Sequence, residues 1–430
     1  MNKILALYLL CCICIFQSNA LTRVDITKSH ASPLPIAMAD FKGPVSIFSN
    51  IHKIVKSDLE STGLFRMISK DAYIENPSID TIPTFQSWRQ LNSTILLVGK
   101  IEKVDSYYRI CFKIWDVFSQ KEIANQEYKK VLPGNLRKVS HAIADEVYQK
   151  LTGEKPYFNT KISYVSLKKN KDQSESRNIA MMDQDGFNHR YLTNDKDIVI
   201  TPRFSPNAQS LLYLSYKNGL DPHVYTLNTK TKVSRLLGDF SGMSYSPRYI
   251  DGLNVLLAVS KKGVSNIYRL NMKNMEKKQM TSCSSICTSP SVSPDKKQIV
   301  FNSDMGGSRQ IYVMNTDGKD MERISFNEGQ YSSPLWSPRG DLIAFTKMLP
   351  GKGFFIGVMR PDGSRERLIT RGWLVDSVSW APNGRVLMFE KEKGPGKGKY
   401  IYTIDITGHN EKRLKTPGQA SDPSWSRNFE

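Results

Sequence analysis

The chain has 430 residues, of which 40% are hydrophobic and 23% are charged. This composition is ordinary for a globular protein and excludes a disordered or fibrous one, and the length predicts two domains. The formal net charge of +19 would suggest a nucleic-acid partner for a protein that stays inside a cell.

The first 20 residues have the pattern of a secretory signal peptide. Lys3 precedes an apolar run from Ile4 to Phe16, and Ser18-Asn19-Ala20 places small residues where signal peptidase cleaves. We therefore predict export, with cleavage between Ala20 and Leu21. The apolar run is too short to span a bilayer, and no later segment reaches that length, so we expect no membrane span.

Export changes how the charge and the cysteines are interpreted. Removing Lys3 leaves 59 of the 60 basic residues against 41 acidic ones. We expect no nucleic-acid partner outside the cell. The charge suits attraction to an anionic envelope, or it reflects solvated lysines with no specific partner. Cys283 and Cys287 are spaced so that an oxidising compartment would permit a disulfide.

Residues 21–155 predict a small α/β domain. Apolar residues at helical spacing from Ile47 to Leu59 predict one helix, which Gly63 ends. The same spacing between Leu136 and Leu151 predicts a second helix, which Gly153 ends. Apolar runs predict four strands, at residues 36–38, 95–98, 108–114 and 122–128. Residues 21–32 precede the first of these strands and are expected to form an arm or an edge strand.

Residues 160–430 repeat one unit six times. An aromatic or apolar residue is followed by Ser or Ala and, in most copies, by Pro, which predicts the end of a strand and a turn. The copies are Phe204-Ser205-Pro206, Tyr245-Ser246-Pro247, Val292-Ser293-Pro294, Trp336-Ser337-Pro338, Trp380-Ala381-Pro382 and Trp425-Ser426-Arg427. A period in the forties that is built from short strands is typical of a β-propeller.

Each unit contains four strand-like pieces, and the two ends of the array are incomplete. Ile162-Ser163-Tyr164-Val165 resembles a second piece with no first piece before it, whereas Pro423–Ser426 is a first piece with no second behind it. We therefore predict a six-bladed propeller in which the C-terminal strand enters the first blade and closes the ring. An open solenoid would not explain these complementary ends. The predicted fold class is α+β, with the α/β domain followed by the propeller.

The sequence contains no motif that supports catalysis. It has no His-Glu-x-x-His, no Gly-x-Ser-x-Gly and no phosphate-cradling loop. We interpret Lys391–Lys399 as a long surface hairpin loop. We expect a monomer that is not an enzyme and holds no cofactor or metal, with a propeller that binds other proteins. Two alternatives remain: a propeller that assists a peptidase, and one that stacks envelope glycan on Trp336, Trp380 and Trp425.

The order of these elements resembles the TolB family of the Tol–Pal system of Gram-negative bacteria. The resemblance covers the whole mature chain. It includes Leu151-Thr152-Gly153 before Lys161–Val165, and the Trp-Ser-Pro blades that end at Trp425-Ser426. It implies a periplasmic protein that supports outer-membrane integrity and cell division. Its implied partners are the lipoprotein Pal and the C-terminal domain of TolA.

The resemblance also implies which residues contact each partner. Pal would bind loops just before the Ser-Pro strands, and Thr288 falls where the family has a contacting Thr. Asp239 and Gly242 would be its counterparts one blade earlier, and repeat symmetry adds Ser332, Asp376 and Ser421. TolA would bind the arm at residues 21–32, where the residues that match the family pattern are Arg23, Val24, Ile26 and Ser32.

Overall fold

The computed structural model describes residues 32–169, 175–194, 197–216, 221–238, 240 and 242–427. Within these ranges the chain forms two compact units. The first comprises residues 33–50 and 65–133, and the second comprises residues 51–64 and 134–427. The predicted signal peptide lies outside the described residues. The predicted domain boundary at residues 155–160 stays a prediction. In the described ranges, no helix is long and apolar enough to cross a bilayer.

The first unit contains a five-stranded mixed sheet in the order β2-β1-β3-β4-β5. Its strands are β1 (Leu34–Met38), β2 (Phe65–Met67), β3 (Ile95–Val104), β4 (Tyr107–Asp116) and β5 (Lys121–Val131). Among the described residues, the α-helices are α1 (Val45–Ser61), α2 (Phe85–Gln90) and α3 (Leu136–Thr152). β1 runs parallel to β2 and β3, whereas β4 and β5 follow by antiparallel hairpins. The predicted strands and the two long helices are confirmed.

The core of the first unit lies between β3 and α2. Leu96 and Val98 are fully buried on one face of β3, and they belong to the same cluster as Phe85 and Trp88 of α2. The indole Nε1 of Trp88 donates to Glu75 Oε1 at 2.7 Å, so this fully buried side chain has its polar atom paired. β2 and α2 were not predicted from the sequence, because three and six residues are too few to show a periodicity.

The second unit includes α3 and the C-terminal part of α1. The apolar stripe predicted for α3 is buried at Val139, Ile143, Val147 and Leu151. The helix ends at Gly153 as predicted, since this residue has a φ of 75° and its N–H donates to Gln149 O.

Six four-stranded antiparallel sheets make up the propeller. The strands of blade one are β6 (Lys161–Lys169), β7 (Glu175–Asp183), β8 (Arg190–Tyr191) and the C-terminal β29 (Gln419–Trp425). Blade two has β9 (Val199–Phe204), β10 (Ser210–Ser215), β11 (His223–Asn228) and β12 (Ser234–Leu236). Blade three has β13 (Met243–Tyr249), β14 (Asn254–Lys261), β15 (Val264–Asn271) and β16 (Lys277–Gln279).

The remaining three blades have the same construction. Blade four has β17 (Cys287–Val292), β18 (Gln298–Ser303), β19 (Gln310–Asn315) and β20 (Glu322–Arg323). Blade five has β21 (Gln330–Trp336), β22 (Ile343–Leu349), β23 (Gly353–Met359) and β24 (Arg367–Gly372). Blade six has β25 (Leu374–Trp380), β26 (Val386–Glu392), β27 (Lys399–Asp405) and β28 (Lys412–Arg413).

The C-terminal strand closes the ring, as predicted. β29 is the innermost strand of blade one and pairs with β6, with Trp425 opposite Ile162 and Ser421 opposite Val165. Two further hydrogen bonds join the ends of the propeller: Lys161 N donates to Ser426 Oγ, and Trp425 Nε1 donates to Thr160 Oγ1, each at 2.8 Å. Every blade therefore has a neighbour on both sides, which removes an open end of the array.

In blade three, the repeated aromatic position predicted from the sequence was wrong by four residues. In the register of the inner strands, Phe204 pairs with Leu211, and its counterpart Tyr249 pairs with Val255. The repeated aromatic position of blade three is thus Tyr249 and not Tyr245. The error arose because Ser246-Pro247 copies the Ser-Pro signal, although it lies at a β-bulge inside the strand. The corrected spacing of the repeat is 43 to 45 residues throughout.

Candidate protein-binding face

All six innermost strands begin at the same end of the propeller, which we name the channel-entry face. It is formed by the starts of β9, β13, β17, β21, β25 and β29, together with the turns between the second and third strands of the blades. Antiparallel order brings these segments together, because the chain returns to this end on the second and fourth strand of each blade. The innermost strands line the central channel of the ring.

A β-bulge interrupts every innermost strand near this face. The register of each strand shifts by an extra residue against its neighbour. Each bulge contains a residue with a φ between 51° and 57°, and these residues are Thr201, Ser246, Ser289, Ser333, Ser377 and Asp422. A bulge re-aims the side chains beside it, so the six bulges give the innermost strands a common local geometry near this face.

Four of the six residues predicted to contact Pal share one position in this geometry. Thr288, Ser332, Asp376 and Ser421 each directly precede the positive-φ residue of their blade. They lie within the innermost strands, and the expectation that they belong to loops before those strands was wrong. Thr288, Ser332 and Asp376 are partly exposed, whereas Ser421 is buried. Ser421 therefore contributes less surface than its counterparts.

The remaining predicted residues are placed differently. By strand register, the counterpart of Thr288 in blade three is Tyr245, not Gly242, because the sequence alignment of this blade was shifted. Gly242 is nevertheless exposed and lies directly before β13, at the channel-entry face. Asp239 lies outside the described residues. The same holds for Arg23, Val24 and Ile26 of the arm, of which only Ser32 is described, as an exposed residue.

The bulge residues are held by hydrogen bonds to polar side chains of neighbouring strands. Asp376 Oδ1 accepts from Thr346 Oγ1 at 2.8 Å, and Asp422 Oδ1 accepts from Ser377 Oγ at 3.2 Å. Thr288 Oγ1 lies 3.5 Å from Ser246 Oγ of the preceding blade. These contacts limit the rotamers of the predicted contact residues, which lowers the entropy that a partner must remove on binding.

Acidic groups collect on one side of the channel. Glu390 Oε2 accepts from Asp422 N at 2.9 Å, and Glu390 Oε1 lies 3.3 Å from Lys399 Nζ. Burial, and then the neighbouring Asp422 carboxylate, raise the pKa of Glu390 to about 7, against the opposing effect of Lys399. Glu390 therefore changes its charge near neutral pH.

Two arginines face the channel from blades two and three. Arg203 is 8% exposed and donates from Nη1 to the main-chain carbonyls of Pro202 and Pro423, at 2.9 and 3.4 Å. Arg248 occupies the same register position one blade later. Burial lowers the pKa of both guanidinium groups, and repulsion by Arg203 lowers that of Arg248 further. The channel thus carries basic groups on blades two and three, and acidic groups on blades one and six.

A disulfide lies beside the predicted contact residue Thr288. Cys283 and Cys287 are joined, and Cys287 directly precedes Thr288 in β17. Their spacing had left this bond open as a permitted pairing. The five-residue loop is tied further by Ser265 N, which donates to Ser285 O at 3.0 Å. Thr288 is therefore presented from a short, covalently closed segment.

The channel-entry face also has a set of exposed apolar side chains that was not predicted from the sequence. They lie between 39% and 73% exposed, and they are Ile198, Met243, Ile286, Met305, Phe326 and Trp373. Phe326 and Trp373, at 73% and 58%, open the adjacent blades five and six. Apolar side chains in short loops give no periodic signal, so only the blade topology reveals that they share one end. Large exposed aromatics suit a protein-binding surface.

The alternatives of glycan binding and metal chemistry fit the residues less well. Trp336, Trp380 and Trp425 are 5% to 8% exposed and pack between blades, so they offer no ring face to a sugar. In the described ranges, one cluster has metal-ligand spacing: His141, Asp183 and Asp185. Its two carboxylates already pair with Lys161 and Arg137, which leaves little charge for a cation.

The fold and this face together define a class of protein: a six-bladed propeller scaffold with an N-terminal α/β domain and a polar, bulged surface around the channel mouth. Comparisons with known proteins agree. A family model described as the TolB amino-terminal domain matches residues 22–123, and one described as the TolB beta propeller domain matches residues 148–429.

Two curated relatives and one solved structure extend the match. The chain is 42% identical over 431 residues to proteins named "Tol-Pal system protein TolB" from Rickettsia massiliae (strain Mtu5) and Rickettsia felis (strain ATCC VR-1525 / URRWXCal2), with 96% of each chain covered. The crystal structure of TolB from Acinetobacter baumannii superposes with a TM-score of 0.84 at 24% identity, covering 92% of this chain and 97% of that one. The chain belongs to the TolB family of the Tol–Pal system, and is a propeller scaffold rather than an enzyme.

Proposed function

We propose that this protein binds the lipoprotein Pal at the channel-entry face and the C-terminal domain of TolA through residues 21–32. In this role it acts in the periplasm, after cleavage between Ala20 and Leu21, and supports outer-membrane integrity and cell division. The observation that carries the proposal is the common position of Thr288, Ser332 and Asp376, directly before the bulge of three successive blades. Family membership supports the choice of partners.

The chemistry of the face supports a protein ligand. Partly exposed hydroxyl and carboxylate groups at the bulges can donate or accept hydrogen bonds, and the exposed rings of Phe326 and Trp373 supply apolar contact area. Protein interfaces combine an apolar centre with a polar rim in this way. The fixed blade geometry and the Cys283–Cys287 bond reduce the ordering cost of association.

Substitution of Thr288 by Arg tests the Pal site. The added bulk and charge at a partly exposed inner-strand position should clash with a docked domain and weaken binding by about tenfold or more. Titration of the variant with the Pal periplasmic domain in a calorimeter measures the change. Thr231→Arg is the matched control, since Thr231 is exposed in a turn at the opposite end of blade two. Equal affinities of the two variants for Pal would remove Thr288 from the site.

A further inference from the structure

An open cleft of about 520 Å³ lies in blade six, between the β26–β27 turn and the outer strand β28. Four cationic side chains line it: Lys391, Lys393, Lys397 and Arg413. The other lining residues are Gly394, Gly398, Tyr400 and Tyr402, so none of them is acidic. Because Glu392 pairs with Leu374 at the start of β25, the turn lies at the channel-entry face.

Most of this positive charge is not neutralised by the protein. Lys391 Nζ pairs with Glu411 Oε1 at 2.6 Å. Among the described residues, no carboxylate pairs with Lys393, Lys397 or Arg413. Three exposed cations around one cleft repel each other, and because no carboxylate among the described residues offsets this repulsion, a ligand or the solvent must supply the negative charge.

Two tyrosine rings hold the cations in place. The guanidinium carbon of Arg413 lies 3.4 Å from the centroid of the Tyr400 ring, and Lys391 Nζ and Lys393 Nζ lie 5.7 and 5.6 Å from that of Tyr402. Each contact is a favourable cation–π geometry that restricts a long side chain at little cost. The cleft is thus partly preorganised, unlike an arbitrary group of surface lysines.

We propose that this blade-six cleft binds a phosphate-bearing anion. Arginine donates to two phosphate oxygens at once, and lysine ammonium groups add point charge, so this set suits an anion with more than one negative charge better than a single carboxylate. The Gly-rich turn, whose Gly396 and Gly398 have positive φ, keeps side chains away from the opening. The phosphate belongs either to a soluble anion or to the headgroup of an anionic phospholipid. The site is separate from Thr288 and does not depend on the proposed partners.

Removal of two charges from the turn tests the site. The mature chain (residues 21–430) is titrated with inorganic pyrophosphate in a calorimeter at 150 mM NaCl, a salt concentration at which diffuse surface attraction is screened. We expect Lys393→Gln with Lys397→Gln to weaken pyrophosphate binding by about tenfold or more, because both side chains are exposed and the substitutions remove two of the four cations that line the cleft. The matched control is Lys230→Gln with Lys232→Gln, two exposed lysines in a turn of blade two.

The outcomes separate the alternatives. Loss of binding in the first pair with an unchanged control supports the cleft. The proposal of a phosphate site would be overturned if the unaltered chain did not bind pyrophosphate. It would also be overturned if both pairs of substitutions weakened pyrophosphate binding equally, because that result would indicate attraction by diffuse surface charge only. Cosedimentation with vesicles of phosphatidylglycerol and phosphatidylcholine distinguishes the sources. If the unaltered chain sediments with the vesicles and the Lys393→Gln, Lys397→Gln variant does not, the ligand is the lipid headgroup. If neither pair of substitutions changes sedimentation but the Lys393→Gln, Lys397→Gln variant loses pyrophosphate binding, the ligand is the soluble anion.

Discussion

Gly242 shows how a single backbone position controls the channel-entry face. Its φ is +134°, and a Cβ atom there would lie 2.3 Å from Ser260 O in the strand beside it. No side chain fits without a shift of the backbone, so the residue is required for the path of the chain into β13. This structural demand is independent of any contact that Gly242 makes with a partner.

Substitution of Gly242 by Ala should therefore destabilise the protein by about 1–3 kcal/mol, through the strained φ and the contact with Ser260 O. Gly252→Ala is the control, because a Cβ there meets nothing within 4 Å and φ is not in the left-handed region. Urea unfolding of both variants measures the difference. A Gly242→Ala protein as stable as Gly252→Ala would contradict the assigned strain.

Glu390 should make stability depend on pH in a defined direction. Its pKa is about 7 in the folded protein and near 4.5 when exposed, so between these values the folded state holds a proton that the unfolded state has lost. The free energy of unfolding therefore falls as pH rises from 4.5 to 7. For Glu390→Gln this contribution is absent, and its stability relative to the unaltered chain should rise by about 2–3 kcal/mol between pH 5 and pH 8.

Urea unfolding of both proteins at the two pH values checks this expectation. Asp422, Asp376 and Lys399, which face Glu390, are present in both, and so their own titration largely cancels in the comparison. Stabilities of the two proteins that change in parallel with pH would show that Glu390 is already ionised at pH 5.

The last strand contains a tryptophan, Trp425, that contacts three different segments of the chain. Trp425 pairs with Ile162, and its backbone N–H donates to Ser379 Oγ of blade six. The centroid of its ring lies 5.8 Å from that of the Tyr157 ring. One residue thus joins blade one, blade six and the segment before β6. Removing its side chain leaves a cavity and removes the hydrogen bond from Nε1 to Thr160 Oγ1.

Trp425→Ala should cost about 3–5 kcal/mol of unfolding free energy. Trp373→Ala, which removes the same side chain at a 58% exposed position, should change stability by no more than about 0.5 kcal/mol. Chemical denaturation of both variants gives the two values. Similar costs would mean that ring closure depends on the backbone pairing of β29 and not on its tryptophan.

Considered as a whole, the protein is proposed to bind two partners through separate parts of the chain. The predicted TolA contacts lie at residues 21–32. The predicted Pal contacts that the structure describes lie in strands of blades four to six, in β29 and, for Gly242, directly before β13. Deletion of residues 21–32 should therefore abolish binding of the TolA C-terminal domain and change Pal affinity less than about twofold. Calorimetric titration with each partner measures both. Retained TolA binding would exclude the arm as its site.

The number of blades, most of their strands and the closure by the C-terminal strand were predictable from the sequence. These features follow from local rules: alternating burial, turn residues and two half-blades that complement each other. The α/β domain was predictable for the same reason, except for β2 and α2. In blade three Tyr249 is not followed by Ser-Pro, so the local rules selected Ser246-Pro247 at the bulge instead, and only the pairing of Tyr249 with Val255 corrected the assignment.

The tertiary structure alone decided which side chains share a surface. Arg413 of β28 lines the same cleft as Lys393 and Lys397 of the β26–β27 turn. Glu390 is buried beside Asp422, which belongs to another blade. Phe326 and Trp373 lie in different loops but at the same end of the propeller. The physical reason is that burial and charge environment depend on residues distant in the chain, which a single sequence does not align. Strands, by contrast, can be predicted from the sequence, because their side chains alternate between the two faces of a sheet.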